Sequence, residues 1–518
     1  MSTRVVILSI PYTEPLPMVA PVLLSACLNE SNISAKGIDF SILFLNEFVN
    51  KTYWPELKNL ITVGVKPNNP LSLRTVIDVL KFIKKQLIQI KNIYNPEYLG
   101  LSIFTNESIN FSYILIPYIR KYLPDSKIML GGRGLELICG SYNIKHYEKY
   151  YQNGMADIII VGDAETAIIE VIQNNITGLY FAKSQTKEDL LSIPVAKWED
   201  YDFDVYKAFK NYQIQEDNNL IGIDPRYIAI SASKGCVRKC TFCDVASFWP
   251  KYIYKDGDKV AQEIIVSYKN TGISNYQFTD NLINGSVSHY RKMNERLADE
   301  LPNTISYNGY AIFRSKNTMS EFDFTLAARA GCKSWSIGIE SGSERIRYDM
   351  KKKFSNDDMD HCILNLHKNN IAQYWLFMVG YPTETDWDYT ETENLLKKYA
   401  YLNKNNMIAI SITPTFQILH NSPIIQDPVL RQKYGLRYSI NNNLDRYFWT
   451  ADINPTNTFA TRYARWLRLS DLAFELGYKI QPGAAEQHKR WSDELTDLKK
   501  IYDEKQPKPS KVFPIIAS

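Results

Sequence analysis

The stretch Tyr227-Ile-Ala-Ile-Ser-Ala-Ser-Lys-Gly-Cys236-Val-Arg-Lys-Cys240-Thr-Phe-Cys243-Asp244 runs from an apolar segment straight into three thiols spaced Cys-x3-Cys-x2-Cys. Residues 227–232 read as a strand, so three soft ligands converge on one strand-end loop. A structural zinc site wants four protein ligands; none of the six histidines lies near this loop and no second cysteine hook follows it. Three thiolates favour an iron-sulfur cube, and because electron carriers supply four cysteines, three leave one iron open to a substrate or cofactor.

Outward from this loop the pattern repeats. Strand-like segments at 227–232, 275–280, 304–308, 334–339, 373–379 and 407–413 alternate with amphipathic helical patterns. One helix starts at Asp258 and leaves at Gly272, another starts at Ser286, and a third follows Ser355, with Asp358 placed for a capping box. Six such units predict a partial (β/α)6 barrel over 227–425, whose chemistry belongs at the carboxyl ends of the strands.

Upstream, strand patterns at 4–10, 98–104, 127–132, 156–162 and 178–182 alternate with helical faces at 75–90, 110–123 and 164–172. Residues 1–190 are therefore expected to form a doubly wound, Rossmann-like α/β domain. Residues 191–226, with Pro194 and Pro225 and little periodicity, read as a linker. Beyond 426 an amphipathic helix at 458–477 and a tail with Pro507, Pro509 and Pro514 predict a small, mostly helical cap and an extended end.

The 518 residues exceed one hydrophobic core, and 45% of them are apolar, enough to build two or three. Opposite charges nearly cancel to +4, so charge indicates neither nucleic acid nor a membrane surface. Residues 1–11 lack a secretory pattern and no apolar run approaches a bilayer span, so a cytoplasmic protein without membrane insertion is expected. Seven cysteines, three of them in one loop, fit a reducing compartment.

Spacing and context resemble the radical S-adenosylmethionine (SAM) superfamily. That resemblance implies a 4Fe-4S cluster on Cys236, Cys240 and Cys243, SAM chelated to the open iron, and an electron from a reductase, flavodoxin or ferredoxin. Reductive cleavage of SAM then gives a 5'-deoxyadenosyl radical that takes hydrogen from an unreactive position. Phe242 fills the aromatic slot that meets adenine. Asp280 and Asn281 stand where relatives carry an acidic pair or a Gly-Gly-Glu that contacts the SAM amino group. Arg314 follows the third strand. Ser336-Ile-Gly-Ile-Glu340-Ser341-Gly-Ser-Glu344 is similar to the fourth-strand signature near the ribose and methionine, and Val379-Gly380-Tyr-Pro382-Thr-Glu384-Thr to the turn ending the fifth strand. Taken singly, each piece also serves as ordinary turn chemistry.

The N-terminal region resembles the cobalamin-binding domain that precedes the barrel in one radical SAM subgroup. The matching pieces are Pro21 with the 23–28 helix, Gly37-Ile-Asp39, Gly100-Leu-Ser102-Ile-Phe-Thr105, Leu130-Gly131-Gly132 and Val161-Gly162-Asp163-Ala-Glu165. The resemblance implies cobalamin contacts at Ser102, Thr105, Gly131, Gly132, Gly162 and Glu165. The cobalt-ligating Asp-x-His-x-x-Gly of many cobalamin domains is absent, and His146 has no matching neighbours.

The function implied is cobalamin-dependent methylation of an unactivated carbon in an unidentified small molecule or peptide. The alternatives are a radical rearrangement, cyclisation or epimerisation over a vestigial cobalamin domain, or a non-enzymatic iron-sulfur or metal-binding module. An RNA methylthiotransferase would carry a second three-cysteine set near the N-terminus, where only Cys27 and Cys139 occur. Cys27, Cys139, Cys332 and Cys362 read as packing residues, and His289, His361, His367 and His488 as structural or solvated.

Overall fold

The computed structural model describes residues 3–13, 16–63, 72–136, 138–139, 142–143, 145–207, 226–403, 406–413, 415–438 and 446–480. Two parallel sheets carry the chain. The first comprises β1 (Val5–Ser9), β2 (Ala35–Ile38), β3 (Tyr98–Ser102), β4 (Lys127–Gly131), β5 (Ile158–Val161) and β6 (Gly178–Phe181), in the order β2-β1-β3-β4-β5-β6. All five residues of β1 and of β3 are buried, as expected of central parallel strands covered by helices on both faces. Strand order reverses between β1 and β3, and it is outside the carboxyl ends at such a switch that open α/β sheets bind ligands.

Helices α1 (Val19–Glu30), α2 (Leu73–Ile93), α3 (Asn106–Tyr122) and α4 (Ala164–Gln173) cover this sheet. The strand β2 was not anticipated: four residues including a charged Lys36 leave no pattern, and pairing with β1 along its whole length makes it a strand. The segment expected as a linker begins as packed structure. Trp198 and Tyr206 are fully buried, and the Tyr201 hydroxyl donates to the Met18 carbonyl at 2.8 Å. Its later residues, 208–225, lie outside the described residues.

The second sheet follows chain order: β7 (Ile228–Ile230), β8 (Asn275–Phe278), β9 (Ser306–Ala311), β10 (Cys332–Glu340), β11 (Ala372–Met378) and β12 (Ile408–Thr413), all parallel. Among the helices between them are α5 (Gly257–Thr271), α6 (Val287–Glu300), α7 (Asn356–Lys368) and α8 (Asp386–Tyr399). This is the expected partial barrel. Ser355 and Asp358 form the capping box on α7.

A seventh short strand, β13 (Lys479–Ile480), pairs parallel with β12 after the C-terminal helix α9 (Phe459–Glu475). That helix seals the far side, with the Trp466 indole N–H donating to the Ile412 carbonyl at 3.2 Å. His488, Pro507, Pro509 and Pro514 lie outside the described residues, as does the side chain of Cys139. Among the described residues no helix is long and apolar enough to cross a membrane.

Candidate active site

The loop after β7 is held from several directions. Ser233 and Lys234 pair with Ile253 and Tyr254 in a short antiparallel ladder. Gly235 follows at φ +78°, where an added Cβ would stand 2.6 Å from the Lys251 carbonyl oxygen, so only glycine passes. The Asp280 carboxylate, 3% exposed at the end of β8, accepts the Ala232 N–H at 3.0 Å and the Ser233 hydroxyl at 2.5 Å. Burial lifts Asp280 to about 6 against those hydrogen bonds. Between the cysteines, Thr241 donates its N–H to the Met350 carbonyl at 3.0 Å and accepts from the Ile424 N–H at 2.7 Å. Its hydroxyl shares a 2.7 Å hydrogen bond with Tyr381.

The three thiols therefore come from a braced backbone. The Arg238 N–H points at Cys236 Sγ from 3.4 Å, and Cys243 turns back on Cys240 through a 3.2 Å backbone bond. Burial pushes the Cys240 and Cys243 thiols up to about 11 and about 12, and both feel the charge of Cys236. Yet no three His, Cys, Asp or Glu side chains among the described residues approach closely enough to share one metal ion. Of the remaining cysteines with described side chains, Cys27, Cys332 and Cys362 are buried elsewhere, Cys332 beside Tyr290 and Cys362 against Arg314.

Across the barrel mouth, Glu340 ends β10 at φ +67°, a left-handed conformation costly for a residue with a side chain. The register of β10 on β11 slips there, between Gly338 and Glu340, which turns the carboxylate inward onto the buried Lys352 ammonium at 2.8 Å. The Lys352 ammonium also lies 5.9 Å from the centre of the Phe242 ring.

Arg314 donates from Nε and Nη2 to the Asn284 carbonyl at 3.2 and 3.0 Å, and it feels the charges of Arg238 and Cys236. Burial, more than the neighbouring Arg238, lowers its pKa. Ser341 is fully buried in the turn beyond Glu340. Its carbonyl accepts from the buried Arg347 at 2.9 Å, and its hydroxyl accepts from the Ser343 N–H at 3.2 Å. Asn281 stands exposed in the loop that follows β8. Glu340 thus pairs with Lys352 beside Phe242 of the cysteine loop, whereas Asp280, Arg314 and Ser341 are engaged in holding backbone, Asp280 that of the loop itself.

A cavity of about 200 Å³ lies at the ends of the N-terminal strands, between α1 and α4. Ser102, Gly131, Gly132, Gly162 and Glu165 line it. Gly132 has φ +111°, and a Cβ there would meet the Ile103 carbonyl oxygen at 2.3 Å. Thr105 does not line the cavity; its hydroxyl caps α3 in a capping box with Ser108. Glu165 is committed too, accepting from the Lys234 ammonium at 2.8 Å and from the Gln185 amide at 3.0 Å.

Residues 230–396, from β7 into α8, match the family model of the Radical SAM superfamily. The barrel is a radical SAM domain. The chain is 21% identical over 306 residues to the anaerobic magnesium-protoporphyrin IX monomethyl ester cyclase of Synechocystis sp., covering 57% of this chain and 58% of that protein. It spans about half the length of the curated relatives it matches.

Among solved structures, the radical SAM methyltransferase TsrM from Kitasatospora setae, with cobalamin and a [4Fe-4S] cluster bound, superposes with a TM-score of 0.54 at 13% identity. That match covers 86% of this chain and 79% of TsrM. The cobalamin-dependent radical enzyme OxsB, with aqua-cobalamin and SAM bound, gives 0.59 at 14% identity, covering 89% of this chain and 66% of OxsB. The two-sheet architecture of those proteins is thus the fold of this chain.

The cysteine loop of the radical SAM domain fits a multi-iron cluster. Its three thiols rise from one braced backbone, with an N–H aimed at one sulfur, a soft donor set of the kind that holds iron-sulfur clusters. Sequence reasoning missed Lys352 and Lys234. Lys352 sits in a Lys351-Lys-Lys353 run that reads as solvated charge, and only the fold turns the middle residue toward Glu340. Lys234 carries no local sign of its partners Asp163 and Glu165 across the sheets.

Proposed function

We propose that the chain uses Cys236, Cys240 and Cys243 to hold a 4Fe-4S cluster with SAM on its open iron, and that it methylates an unactivated carbon with cobalamin held by the N-terminal domain. The cluster, when bound, supplies the electron that cleaves SAM, and cobalamin supplies a methyl carrier. In this reading Glu340 and Lys352 fix the polar end of SAM beside the loop, Phe242 packs near adenine, and Arg314 closes the mouth against water.

The observation that carries the cobalamin half is the cavity at the N-terminal strand ends, whose wall residues Asp163 and Glu165 reach the cluster loop through Lys234. Its volume is that of one heteroaromatic group, so its lining residues would hold one end of cobalamin rather than the whole cofactor. TsrM is a methyltransferase with cobalamin bound, which supports the reading; the cyclase from Synechocystis supports a radical cyclisation as the second one.

Anaerobic reconstitution with iron, sulfide and hydroxocobalamin, followed by methyl-labelled SAM and fractionated host extract, tests the choice. Retention of one cobalamin per chain and label in one fraction is expected. Normal SAM cleavage without cobalamin retention would discard methylation and leave the cyclisation class.

A further inference from the structure

Lys234 lies two positions before Cys236, and its ammonium crosses to the other sheet. It donates to Glu165 at 2.8 Å and sits 2.9 Å from Asp163 Oδ1, with only 10% of its side chain exposed. Asp163 also accepts the Trp249 indole N–H, at 3.3 Å, from the segment that follows the cysteines. Arg133, on the neighbouring N-terminal turn, stacks over Phe248 at 4.2 Å and Trp249 at 4.7 Å. Both ends of the cysteine loop are thereby tied to the turns that wall the N-terminal cavity, since Arg133, Asp163 and Glu165 all line it.

Adhesion between two domains does not call for this arrangement. A buried ion pair pays a desolvation cost that apolar packing avoids, and swapping such a pair for apolar residues is often neutral or stabilising. What an ion triad adds is a penalty for parting, because separating the loop from the turn would leave the Lys234 ammonium and two carboxylates buried and unpaired. We infer that Lys234 is a positioning residue that locks the cluster loop to the 162–165 turn, so that filling the N-terminal cavity and binding SAM at the cluster are thermodynamically linked. The linkage half rests on the cobalamin reading above; the positioning half does not.

The two are separated by hydrogen–deuterium exchange over 234–244 and by SAM binding to cluster-reconstituted, unreduced chain, each with and without hydroxocobalamin. In the wild type, hydroxocobalamin slows exchange across the loop and tightens SAM binding about fivefold. Lys234→Met removes both effects, and Lys234→Arg, which keeps the charge, restores them in part. A double Asp163→Asn, Glu165→Gln variant speeds exchange at 234–244 even without hydroxocobalamin, although neither residue belongs to the barrel. A residue with a merely structural role would lower the melting temperature and leave the fivefold ratio intact. The inference is overturned if Lys234→Met keeps that ratio, or if the double variant leaves the loop unchanged. If the double variant loosens the loop but hydroxocobalamin binds to no form, the positioning role stands, and the cobalamin reading falls with the linkage built on it.

Discussion

Cys240 is the most buried of the three loop cysteines, flanked by a threonine whose every polar group is engaged. Cys240→Ala removes one thiolate without disturbing those bonds. Reconstituted variant should hold much less iron than the wild type while keeping its circular dichroism, because a cluster already one thiolate short of the usual four loses another. Glu340 has the opposite profile, a strained backbone held for a side-chain position. Glu340→Gln keeps the shape and removes the charge facing Lys352. SAM affinity measured by equilibrium dialysis should fall roughly tenfold with iron content unchanged, which corresponds to about 1.4 kcal/mol. Unchanged affinity would take Glu340 out of the SAM site.

The turn 380–385, legible in the sequence as a strand-end signature, closes through a residue far along the chain. Glu384 accepts the Gly380 N–H at 2.8 Å and the Arg465 guanidinium of α9 at 3.0 Å. Burial lifts its pKa from the usual 4.5 to about 7, against the pull of Arg465. A carboxyl raised on folding binds more protons in the folded state, so its contribution to stability is full below about 4.5 and gone above about 7. Melting temperatures of wild type and Glu384→Gln from pH 5 to pH 8 should therefore diverge, the wild type losing roughly 2 °C or more relative to the variant.

Asp388 on α8 is fully buried and accepts from Ser343 at 2.6 Å, Arg345 Nε at 3.1 Å and the Thr385 N–H at 2.9 Å, tying the fourth strand-end loop to the fifth. Asp388→Ala should cost about 2–3 kcal/mol in denaturant unfolding, the value of a buried hydrogen-bonding hub rather than of the partly exposed Arg345 pair. Elements with period-2 or fully apolar patterns, such as β1 and β10, are readable locally. Strands as short as β2 and β13, and partners as distant as Glu384 and Arg465, exist only because tertiary packing supplies them.

The two sheets meet at the cysteine loop, and this is where sequence and structure divide the account. The loop, the six barrel strands and the glycine turns of the N-terminal sheet follow from residue type and spacing. The roles of Lys234, Asp280 and Lys352 follow only from which surfaces the fold brings together. Asp280, expected at the SAM amino group, spends its carboxylate on Ala232 and Ser233, and Thr105, expected at cobalamin, caps a helix. Local motifs mark strand ends faithfully, but the backbone partners of the polar side chains there come from the fold.

The central claim, that this loop builds an open-iron cluster for SAM, is tested by one assay on the full chain. Wild-type protein reconstituted anaerobically to about four irons is reduced with dithionite in the presence of SAM, and 5'-deoxyadenosine is quantified against Cys240→Ala. The account predicts deoxyadenosine at one equivalent per chain or more from the wild type and background from the variant. Fully iron-loaded wild type that forms none, or a variant that forms as much, would contradict it.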